Sequence, residues 1–295
     1  MRVLLTGASG FLGRHVLNSL QLQGIETVAL GRQRPQPGGA ADFLQADLLA
    51  TPDMAALVRA SGATHLLHLA WYAEHGRYWT APRNLRWVEA TVRLVEAFCA
   101  NGGQHVVVAG SCAEYDWAHG YCREDHTPLQ AATLYGIAKD AARRLVMAIC
   151  AERQVPCAWA RVFLPFGAGE VAQRLIPSLI DVFRGQRAPF GVNASAYRDF
   201  LHVSDVARGF SCLSQCGASG AFNLSSGQAT LLADMVRELA RLLGADAQAV
   251  LALHSARPGE PHLLVGANDK IQALGWQPAL SLTQGLRLAV EAAQP

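Results

Sequence analysis

The sequence TGASGFLG occupies residues 6–13, directly after a short apolar run and at the start of a helical pattern. Gly7, Gly10 and Gly13 have the spacing GxxGxxG, in which a tight turn and a close backbone approach leave no room for a Cβ. The free N–H groups at the start of a helix attract negative charge, so such a turn can hold the pyrophosphate of a dinucleotide. Its place between a strand and a helix predicts a dinucleotide site with the residues Gly7, Ser9, Gly10, Phe11, Leu12 and Gly13.

Apolar runs and amphipathic stretches alternate around this motif over the first two-thirds of the chain, as in strand–helix–strand units with a parallel sheet. The predicted strands are Val3–Thr6, Thr27–Leu30, Asp42–Gln45, His65–Ala70, Val106–Gly110 and Ala158–Phe163. The clearest predicted helices, in which apolar residues recur about every 3.6 positions, are Arg83–Ala100 and Leu134–Arg153. The sequence therefore predicts an α/β fold with a Rossmann-type, doubly wound parallel sheet.

The pattern changes beyond Gly167, where the elements become shorter and Pro and Gly more frequent. We expect a dinucleotide-binding domain over residues 1–166. A smaller, substrate-binding C-terminal lobe over residues 167–295 is expected to share some elements with the sheet. The stretch Gly31–Ala41, rich in Pro and Gly, is expected to be a connecting loop.

The composition is that of a compact globular protein, since 51% of the 295 residues are apolar and 16% are charged. The net charge of +2, without a block of like charges, argues against nucleic acid as a partner. Seven cysteines include no CxxC pair, so we expect free thiols and no metal site, even at Cys212 and Cys216. The start MRVLLTG is too short for a signal peptide and no apolar run is long enough for a membrane span, which predicts a cytoplasmic location.

The end of the second predicted strand, Val28-Ala29-Leu30-Gly31-Arg32, bears on which dinucleotide binds. Sites for NAD place an acid here to accept hydrogen bonds from the ribose 2′-hydroxyl, and this chain has none. The guanidinium of Arg32 suits a 2′-phosphate, so we expect NADP(H), with NAD(H) as the second option. The alternative role for Arg32 is that of a solvated loop charge. Asp47 and Leu48 follow the third strand and are expected beside the adenine, with a helix cap as the alternative role of Asp47.

Tyr135 and Lys139 lie near the start of the second helix at positions i and i+4, which puts both on one face. A free tyrosine titrates near ~10, and we expect the ammonium of Lys139 to supply part of the downward pKa shift that acid–base work at neutral pH needs. Ser111 follows the fifth strand, at the edge where a parallel sheet binds ligands. It can hold a substrate oxygen while Tyr135 transfers a proton. A turn or N-cap role for Ser111 and helix-surface roles for the pair are the alternatives.

Several segments, in a fixed order, resemble the extended short-chain dehydrogenase/reductase family, the NAD-dependent epimerase/dehydratase group that modifies nucleotide sugars. They are TGASGFLG, the HLA of residues 68–70, the segment 111–115, the YGIAK of residues 135–139, RDFLHVSDVA at 198–207, Phe222-Asn223, Arg257-Pro258-Gly259 and Leu274-Gly275-Trp276. The resemblance covers nearly the whole chain. It implies that Ser111, Tyr135 and Lys139 are catalytic, and that Leu69, Ala70, Tyr135 and Lys139 contact the cofactor.

The resemblance also implies a nucleotide-diphosphate sugar as the ligand, with Trp71, Cys112, Arg198 and Arg257 on the substrate side. Arg257 is expected to grip the diphosphate, whereas structural roles are at least as readily expected for Arg198 and His202. Trp71 and the aromatic residues after it could stack on a deoxysugar or cover the core beneath a long loop. By analogy with the family, the two predicted helices would pair across a homodimer interface.

Departures from the family pattern bear on the reaction. The dehydratases have an Asp-Glu pair after the catalytic hydroxyl, and here Cys112 and Ala113 occupy those positions, which argues against dehydration. Glu114 lies one position further, and alternation along the strand would turn it elsewhere. Trp87 and Leu164 replace two asparagines that ordinarily touch cofactor or sugar, so the sugar pocket is expected to differ from that of a UDP-galactose epimerase.

Our leading interpretation is an NADPH-dependent ketoreductase acting on an NDP-4-keto-(6-deoxy)hexose, with Tyr135 as general acid and Ser111 holding the oxygen. The alternative is a nucleotide-sugar C4 epimerase that keeps NAD tightly bound and returns the hydride to the same substrate. A third interpretation, a cofactor-sensing regulator that has lost catalysis, is disfavoured because Tyr135 and Lys139 are both present.

Overall fold

A computed structural model describes residues 1–35, 42–256 and 259–293. Residues 36–41 of the predicted loop Gly31–Ala41 lie outside the described residues, as do Arg257 and Pro258. The strands are β1 (Arg2–Thr6), β2 (Glu26–Gly31), β3 (Asp42–Gln45), β4 (His65–His68), β5 (His105–Ser111), β6 (Tyr121–Cys122), β7 (Cys157–Val162), β8 (Leu164–Phe166), β9 (Tyr197–Arg198), β10 (Phe200–His202), β11 (Gly220–Leu224), β12 (Thr230–Leu231) and β13 (Leu263–Gly266).

The α-helices are α1 (Phe11–Leu22), α2 (Met54–Ser61), α3 (Arg83–Ala100), α4 (Leu134–Glu152), α5 (Leu175–Phe183), α6 (Val203–Gln215), α7 (Leu232–Leu243), α8 (Gln248–Leu251), α9 (Asp269–Gln272) and α10 (Leu282–Ala292). Short 3-10 helices span Cys112–Glu114 and Trp117–His119. Within the described ranges, no helix is long and apolar enough to cross a membrane.

Seven parallel strands form the main sheet in the order β11-β7-β5-β4-β1-β2-β3. The chain runs outward from β1 through β2 to β3, then crosses to the other side of β1 and continues through β4, β5 and β7 to β11. β1 and β4 therefore flank the point where the direction reverses, and there the carboxyl ends of the strands open a crevice for a ligand. The doubly wound, Rossmann-type sheet expected from the sequence is confirmed.

Helices cover both faces of this sheet. Val3 and Leu5 of β1 point to one face and pack in the cluster that includes residues of α1 and α6. Leu4, between them, points to the other face and packs with residues of α2, α3 and α4. Because both faces are buried, the central strands are continuous apolar runs, which is why they could be located in the sequence.

The C-terminal part adds a third buried cluster, to which α5, α7 and α10 contribute. Two small sheets accompany it: β8 pairs with β10, and a second sheet has the order β12-β9-β13-β6. The main sheet takes β11 from this part of the chain, while β6 is contributed by the first part. Elements are thus exchanged in both directions, and a domain boundary at residues 166 and 167 stays a prediction.

Candidate active site

The glycine turn lies between β1 and α1. Gly7 has a φ of +74°, and the Gly10 N–H donates to the Gly7 carbonyl at 2.9 Å. A Cβ on Gly13 would lie 2.0 Å from the Gly7 carbonyl oxygen, so only glycine fits there. Gly10 begins α1 without a side-chain cap, and the first turn has no acidic residue. The free N–H groups of this helix end fit the pyrophosphate of a dinucleotide.

The other predicted residues of the cofactor turn lie around it. Leu69 and Ala70 follow β4 and press against the turn, since a Cβ on Gly7 would lie 2.8 Å from the Ala70 nitrogen. β4 ends at His68, two residues before its predicted end, because the Ala70 N–H donates to the Thr6 hydroxyl at 3.2 Å instead of extending a strand pair. Within the turn and the first turn of α1 lie Ser9, Phe11 and Leu12.

His68, the histidine of the HLA segment, connects three elements beneath the turn. Its Nδ1 lies 2.7 Å from the Thr6 hydroxyl, and its Nε2 lies 2.9 Å from the Thr91 hydroxyl of α3. Burial lowers the pKa of His68 to about 3, and the positive charge of Lys139 acts in the same direction. The neutral imidazole therefore joins β1, β4 and α3.

Arg32 directly follows β2, as predicted for a residue beside the adenosine ribose. It is exposed, and within the described part of the chain its guanidinium makes no ion pair. Asp47 uses its carboxylate within a turn, where Oδ1 accepts from the Leu49 N–H at 3.0 Å, and it does not cap a helix. Leu48 is buried beside it. Both positions lie at the carboxyl edge of the sheet, where the adenine was expected.

Ser111 ends β5 and caps the 3-10 helix Cys112–Glu114. Its hydroxyl accepts from the Ala113 N–H at 3.2 Å, and its own N–H donates to Oε1 of Glu114 at 2.8 Å. The 3-10 helix breaks the strand alternation that would have turned Glu114 elsewhere. The carboxylate instead lies fully buried and fixes the backbone of Ser111.

Tyr135 reaches Ser111 because α4 approaches the 3-10 helix very closely. A Cβ on Gly136 would lie 2.1 Å from the Ala113 carbonyl oxygen, so the residue after Tyr135 in the YGIAK motif must be a glycine for steric reasons. Thr133 caps α4 through a hydrogen bond from the Gly136 N–H at 3.2 Å. The Ser111 hydroxyl is close enough to the Tyr135 phenol to lower the pKa of that phenol. The structure thus brings together two residues that are far apart in the chain.

The pKa of Tyr135 differs from our expectation. Burial raises it above its ordinary value, and the neighbouring Ser111 hydroxyl only partly opposes that effect. The ammonium of Lys139 lies 6.0 Å from the centre of the Tyr135 ring, too far to outweigh the loss of solvation. The expected downward shift is therefore wrong for the protein without ligands, and the phenol is protonated at neutral pH.

Lys139 lies one turn further along α4 and is 3% exposed. Its ammonium donates to the Ala109 carbonyl of β5 at 2.8 Å. Burial lowers the pKa of Lys139 to about 7, while the carboxylate of Glu114 acts against this shift. The side chain is therefore poised to change its charge near neutral pH.

Aromatic side chains from the segment before α3 surround this centre. The rings of Tyr78 and Trp79 lie edge-on to that of Tyr135, with centroid distances of 4.9 and 5.8 Å. The Tyr135 N–H also donates to the Trp79 carbonyl at 3.0 Å. Sequence reasoning named this aromatic segment but missed the contact with Tyr135, for which the sequence holds no signal.

The ring of Trp71 contacts side chains of both α3 and α4. Its ring stacks on Trp87 at 6.3 Å and covers the ammonium of Lys139, whose Nζ lies 3.8 Å from the ring centroid. Cys112 follows Ser111 and is buried; burial raises the pKa of its thiol, so it remains uncharged. A substrate-binding role for Trp71 and Cys112 stays a prediction.

A cavity in the C-terminal part begins beside β8 and continues to β9 and β10. Its wall is largely apolar, with charged groups on Glu170, Arg174, Arg198 and Glu260. Arg174 is also near enough to Tyr78 for its positive charge to lower the pKa of that phenol, although burial raises this pKa by more.

Arg198 lines the cavity, but its guanidinium is already bound. It donates to Oε1 of Glu260 at 2.7 Å and to the Tyr197 carbonyl at 2.8 Å. His202 caps α6 and packs edge-on against Phe166, which is a structural role. Arg257, expected to grip a diphosphate, lies outside the described residues.

Among the residues that the structure describes, no three His, Cys, Asp or Glu side chains are grouped so that they could hold a metal ion.

The sheet, its glycine turn at the reversal point and the Ser-Tyr-Lys group at the end of β5 are those of an extended short-chain dehydrogenase/reductase. The chain belongs to the NAD dependent epimerase/dehydratase family, whose model matches residues 3–225. This confirms the family that the motifs indicated.

The relatives of the chain differ in the reactions that their names state. A UDP-glucose 4-epimerase of Azospirillum brasilense is 25% identical over 97% of this chain and 89% of that protein. A dTDP-6-deoxy-L-talose 4-dehydrogenase (NAD(+)) of Aggregatibacter actinomycetemcomitans is 24% identical over 81% of this chain and 89% of that protein. Among solved structures, MoeE5 in complex with UDP-glucuronic acid and NAD has a TM-score of 0.88 and 30% identity, covering 99% of this chain and 98% of that chain.

Proposed function

We propose that the protein is a nucleotide-sugar ketoreductase that reduces an NDP-4-keto-(6-deoxy)hexose. The observation that carries the proposal is the closeness of the Ser111 hydroxyl to the Tyr135 phenol, with Lys139 one turn further along the helix of Tyr135. The pair lies at the carboxyl edge of a sheet whose first turn fits a dinucleotide. This arrangement suits the interconversion of a ketone and an alcohol.

Each of these side chains has a task in the reduction. Tyr135, whose phenol is protonated because it is buried, donates its proton to the carbonyl oxygen as that oxygen becomes an alcohol. The hydroxyl of Ser111 donates a hydrogen bond to the same oxygen and orients it. Lys139 binds the ribose of the cofactor, and its positive charge stabilises the phenolate that Tyr135 becomes. The cofactor, when bound, supplies the hydride for the carbonyl carbon.

The residues that follow Ser111 argue against one of the reactions known in this family, the elimination of water. Elimination of water needs an acid and a base after the catalytic hydroxyl, and Cys112 and Ala113 provide neither. The buried carboxylate of Glu114 is occupied by hydrogen bonds to Ser111, Trp159 and Arg161, so it does not replace them. A relative named as a 4-dehydrogenase of a deoxysugar nucleotide also supports ketone–alcohol chemistry.

The second candidate is a C4 epimerase that keeps NAD bound. It is supported by the relative named UDP-glucose 4-epimerase and by the NAD in the MoeE5 complex. The exposed Arg32, with no acid in the adjoining strand end, favours NADP(H) and therefore a reductase that exchanges its cofactor at each turnover.

The cavity that Arg174 and Arg198 line is proposed to take the nucleotide diphosphate. Arg198 would then exchange its bond with Glu260 for one with the ligand. We also propose a homodimer paired through α3 and α4, and a cytoplasmic location. Sedimentation of the purified protein would test the dimer.

The reaction is tested by incubating the purified protein with NADPH or NADH and a panel of NDP-4-keto sugars. We expect oxidation of the cofactor in a one-to-one ratio to the alcohol formed, and no oxidation with Tyr135→Phe. An isomerised sugar nucleotide without net change of the cofactor would establish the epimerase instead.

The cofactor preference is tested separately by measuring dissociation constants for NADPH and NADH. We expect NADPH to bind more tightly to the wild type, and Arg32→Gln to weaken NADPH by about tenfold while leaving NADH nearly unchanged. Tighter binding of NADH by the wild type would refute the NADP preference without deciding the reaction.

A further inference from the structure

The ammonium of Lys139 has an unusual environment for a buried charge. It donates to the Ala109 carbonyl at 2.8 Å, and in the described residues no carboxylate lies within ion-pair distance of it. The titratable groups that face it are His68 of β4, Glu114 of the 3-10 helix and Tyr135 of its own helix. His68 is neutral, and the carboxylate of Glu114 is already shared with Arg161. Little besides Ala109 is available to solvate the charged form.

The face of the Trp71 indole is a further partner for the ammonium of Lys139. Nζ of Lys139 lies 3.8 Å from the centroid of the Trp71 ring, well inside the range of a cation–π contact. An ammonium that has left water gains more from such a contact than an exposed one does. The contact therefore stabilises the charged form of Lys139 where its solvation has been lost.

The Trp71 ring is held in this position by two further contacts. Its Nε1 donates to Oδ1 of Asn84 at 2.8 Å, and Asn84 is fully buried at the start of α3. The Asn84 amide in turn donates to the Tyr78 and Ala81 carbonyls at 2.7 and 3.0 Å. Trp87 stacks on the ring at an interplanar angle of 27°. The contacts with Asn84 and Trp87 thus fix the indole ring in the position from which it contacts Lys139.

We infer that Trp71 is a positioning residue for Lys139, and that its indole face holds the ammonium where it serves Tyr135 and the cofactor ribose. The inference rests on the proposed acid–base role of Lys139. It also assigns to Trp71 a task different from the two that the sequence suggested, stacking on a sugar and covering the core beneath a long loop. Trp71 acts through Lys139 in this assignment and does not contact the reacting atoms.

The composition makes a direct test practicable, because Lys139 and Lys270 are the only two lysines in the chain. Protein labelled with carbon-13 at the lysine Cε gives one NMR signal for each. Lys270 is the internal control, since it pairs with Asp125 and its ammonium lies over the ring of Phe222. The variants Trp71→Leu, which has no aromatic face, and Trp71→Phe, which keeps one, form a matched pair.

We expect Trp71→Leu to lower the pKa of Lys139 by about one unit and Trp71→Phe to lower it by less, with Lys270 unchanged in both. If Trp71→Leu does not fold, the wild-type protein is made with fluorinated tryptophan at all six tryptophan positions. One preparation carries one fluorine on each indole and another carries three, and neither changes the shape of the ring. The pKa of Lys139 should then fall with each step of fluorination, because fluorine weakens the negative face of the ring. A titration of Lys139 that is the same in all these proteins would overturn the inference.

Kinetics distinguish this inference from a failure of the proposed function. Trp71→Leu is expected to lower kcat and shift its pH profile in the direction of the NMR titration, with a smaller change in KM. A raised KM with an unchanged Lys139 titration would identify Trp71 as a sugar contact and overturn the inference. A shifted titration in a protein that reduces none of the sugars would uphold the contact and refute the proposed reductase.

Discussion

Glu114 and Arg161 form an ion pair of 2.8 Å in the interior, with side chains that are 0% and 1% exposed. The carboxylate also accepts from the Trp159 indole at 2.9 Å and from the Ser111 N–H at 2.8 Å, while Arg161 donates to the Tyr115 hydroxyl at 2.9 Å. The pair therefore connects β7 with the backbone of Ser111. Its hydrogen bonds are nearly complete, which is the condition under which a buried pair is tolerated.

We predict that Glu114→Gln destabilises the protein by about 3–5 kcal/mol, because it leaves the charge of Arg161 buried without a counter-charge. Urea unfolding measures the change in the free energy of unfolding. Asp234→Asn, in an exposed pair with Arg237 at 2.7 Å, is the control and should cost less than about 1 kcal/mol. Equal costs for the two variants would contradict the prediction.

The cofactor turn gives a steric prediction. Gly13→Ala puts a Cβ 2.0 Å from the Gly7 carbonyl oxygen, so the turn must open and its affinity for the dinucleotide should fall at least about tenfold. Gly24→Ala, just beyond the other end of α1, is the control. It has a φ of +68° and open space around it, so it should cost about 1 kcal/mol of stability and leave cofactor affinity intact. Fluorescence titration with NADPH and NADH measures both, and normal affinity in Gly13→Ala would exclude this turn as the pyrophosphate site.

Lys139 gives a prediction about pH. Its pKa in the folded protein is about 7, whereas a lysine in the unfolded chain titrates near ~10.4. Between these two pKa values the unfolded chain therefore binds more protons than the folded protein. The free energy of unfolding is lowered in full by the burial of Lys139 below pH ~7, and this loss disappears as the pH rises toward ~10. Lys139→Met should accordingly be more stable than the wild type at about pH 7, by a margin that shrinks by up to about 1.4 kcal/mol per pH unit on the way to pH ~9.

Urea unfolding at three pH values in this window measures the margin. Lys270→Met removes a partly exposed lysine and is expected to differ from the wild type by an amount that does not change with pH. A margin that is constant for Lys139→Met as well would mean that Lys139 keeps its ordinary pKa in the folded protein.

Periodic elements could be predicted closely from the sequence. β3 and α3 begin and end at the predicted residues, and the other predicted strands of the main sheet differ by one or two residues at their ends. The reason is that the strands of a sheet buried on both faces are continuous apolar runs. In each helix, the apolar residues of the buried face recur about every 3.6 positions. The glycine motif was interpretable because its spacing reflects contacts between near neighbours, such as Gly7 and Gly13.

Contacts between distant residues could not be predicted in the same way. Nothing near Trp71 in the sequence indicates that its ring covers Lys139, which lies on another helix. The pKa of Tyr135 was misjudged because only the ammonium was weighed, whereas burial has the larger effect and becomes visible only when the chain is folded. Glu114 is a different case. Ser111 and Glu114 have the S-x-x-E spacing of a capping box, and this local signal could have revealed the bond that the structure shows.

Tyr135→Phe tests the centre itself. The substitution removes the proposed proton donor and keeps the ring that packs on Tyr78 and Trp79, so we expect turnover to fall by about 10²–10⁴-fold with little change in cofactor affinity. Tyr121→Phe, at an exposed position, is the control and should leave both unchanged. Retained turnover in Tyr135→Phe would rule out Tyr135 as the proton donor.

The last prediction concerns the sugar and rests on the cavity as the nucleotide-sugar site. The side chain of Glu170 is 4% exposed; its Oε1 accepts from Arg174 at 2.8 Å, and its Oε2 has no hydrogen-bond partner among the described residues. Burial raises the pKa of Glu170 to about 7, with Arg174 acting in the opposite direction. Above that pH the carboxylate is charged, so it should favour a ligand that donates hydrogen bonds and repel one that brings another carboxylate.

UDP-glucose and UDP-glucuronic acid differ in such a carboxylate and can be compared by calorimetry at pH ~8. We expect the wild type to prefer UDP-glucose, and Glu170→Gln, which leaves Arg174 uncompensated, to bind UDP-glucuronic acid about tenfold more tightly relative to UDP-glucose. Glu238→Gln, at a surface pair with Arg241, is the matched control and should keep the wild-type ratio. The wild type itself should lose part of its preference at pH ~6, because Glu170 is then protonated. An unchanged ratio in Glu170→Gln would place the sugar away from Glu170, since a charge in contact with the ligand could not be removed without altering its discrimination.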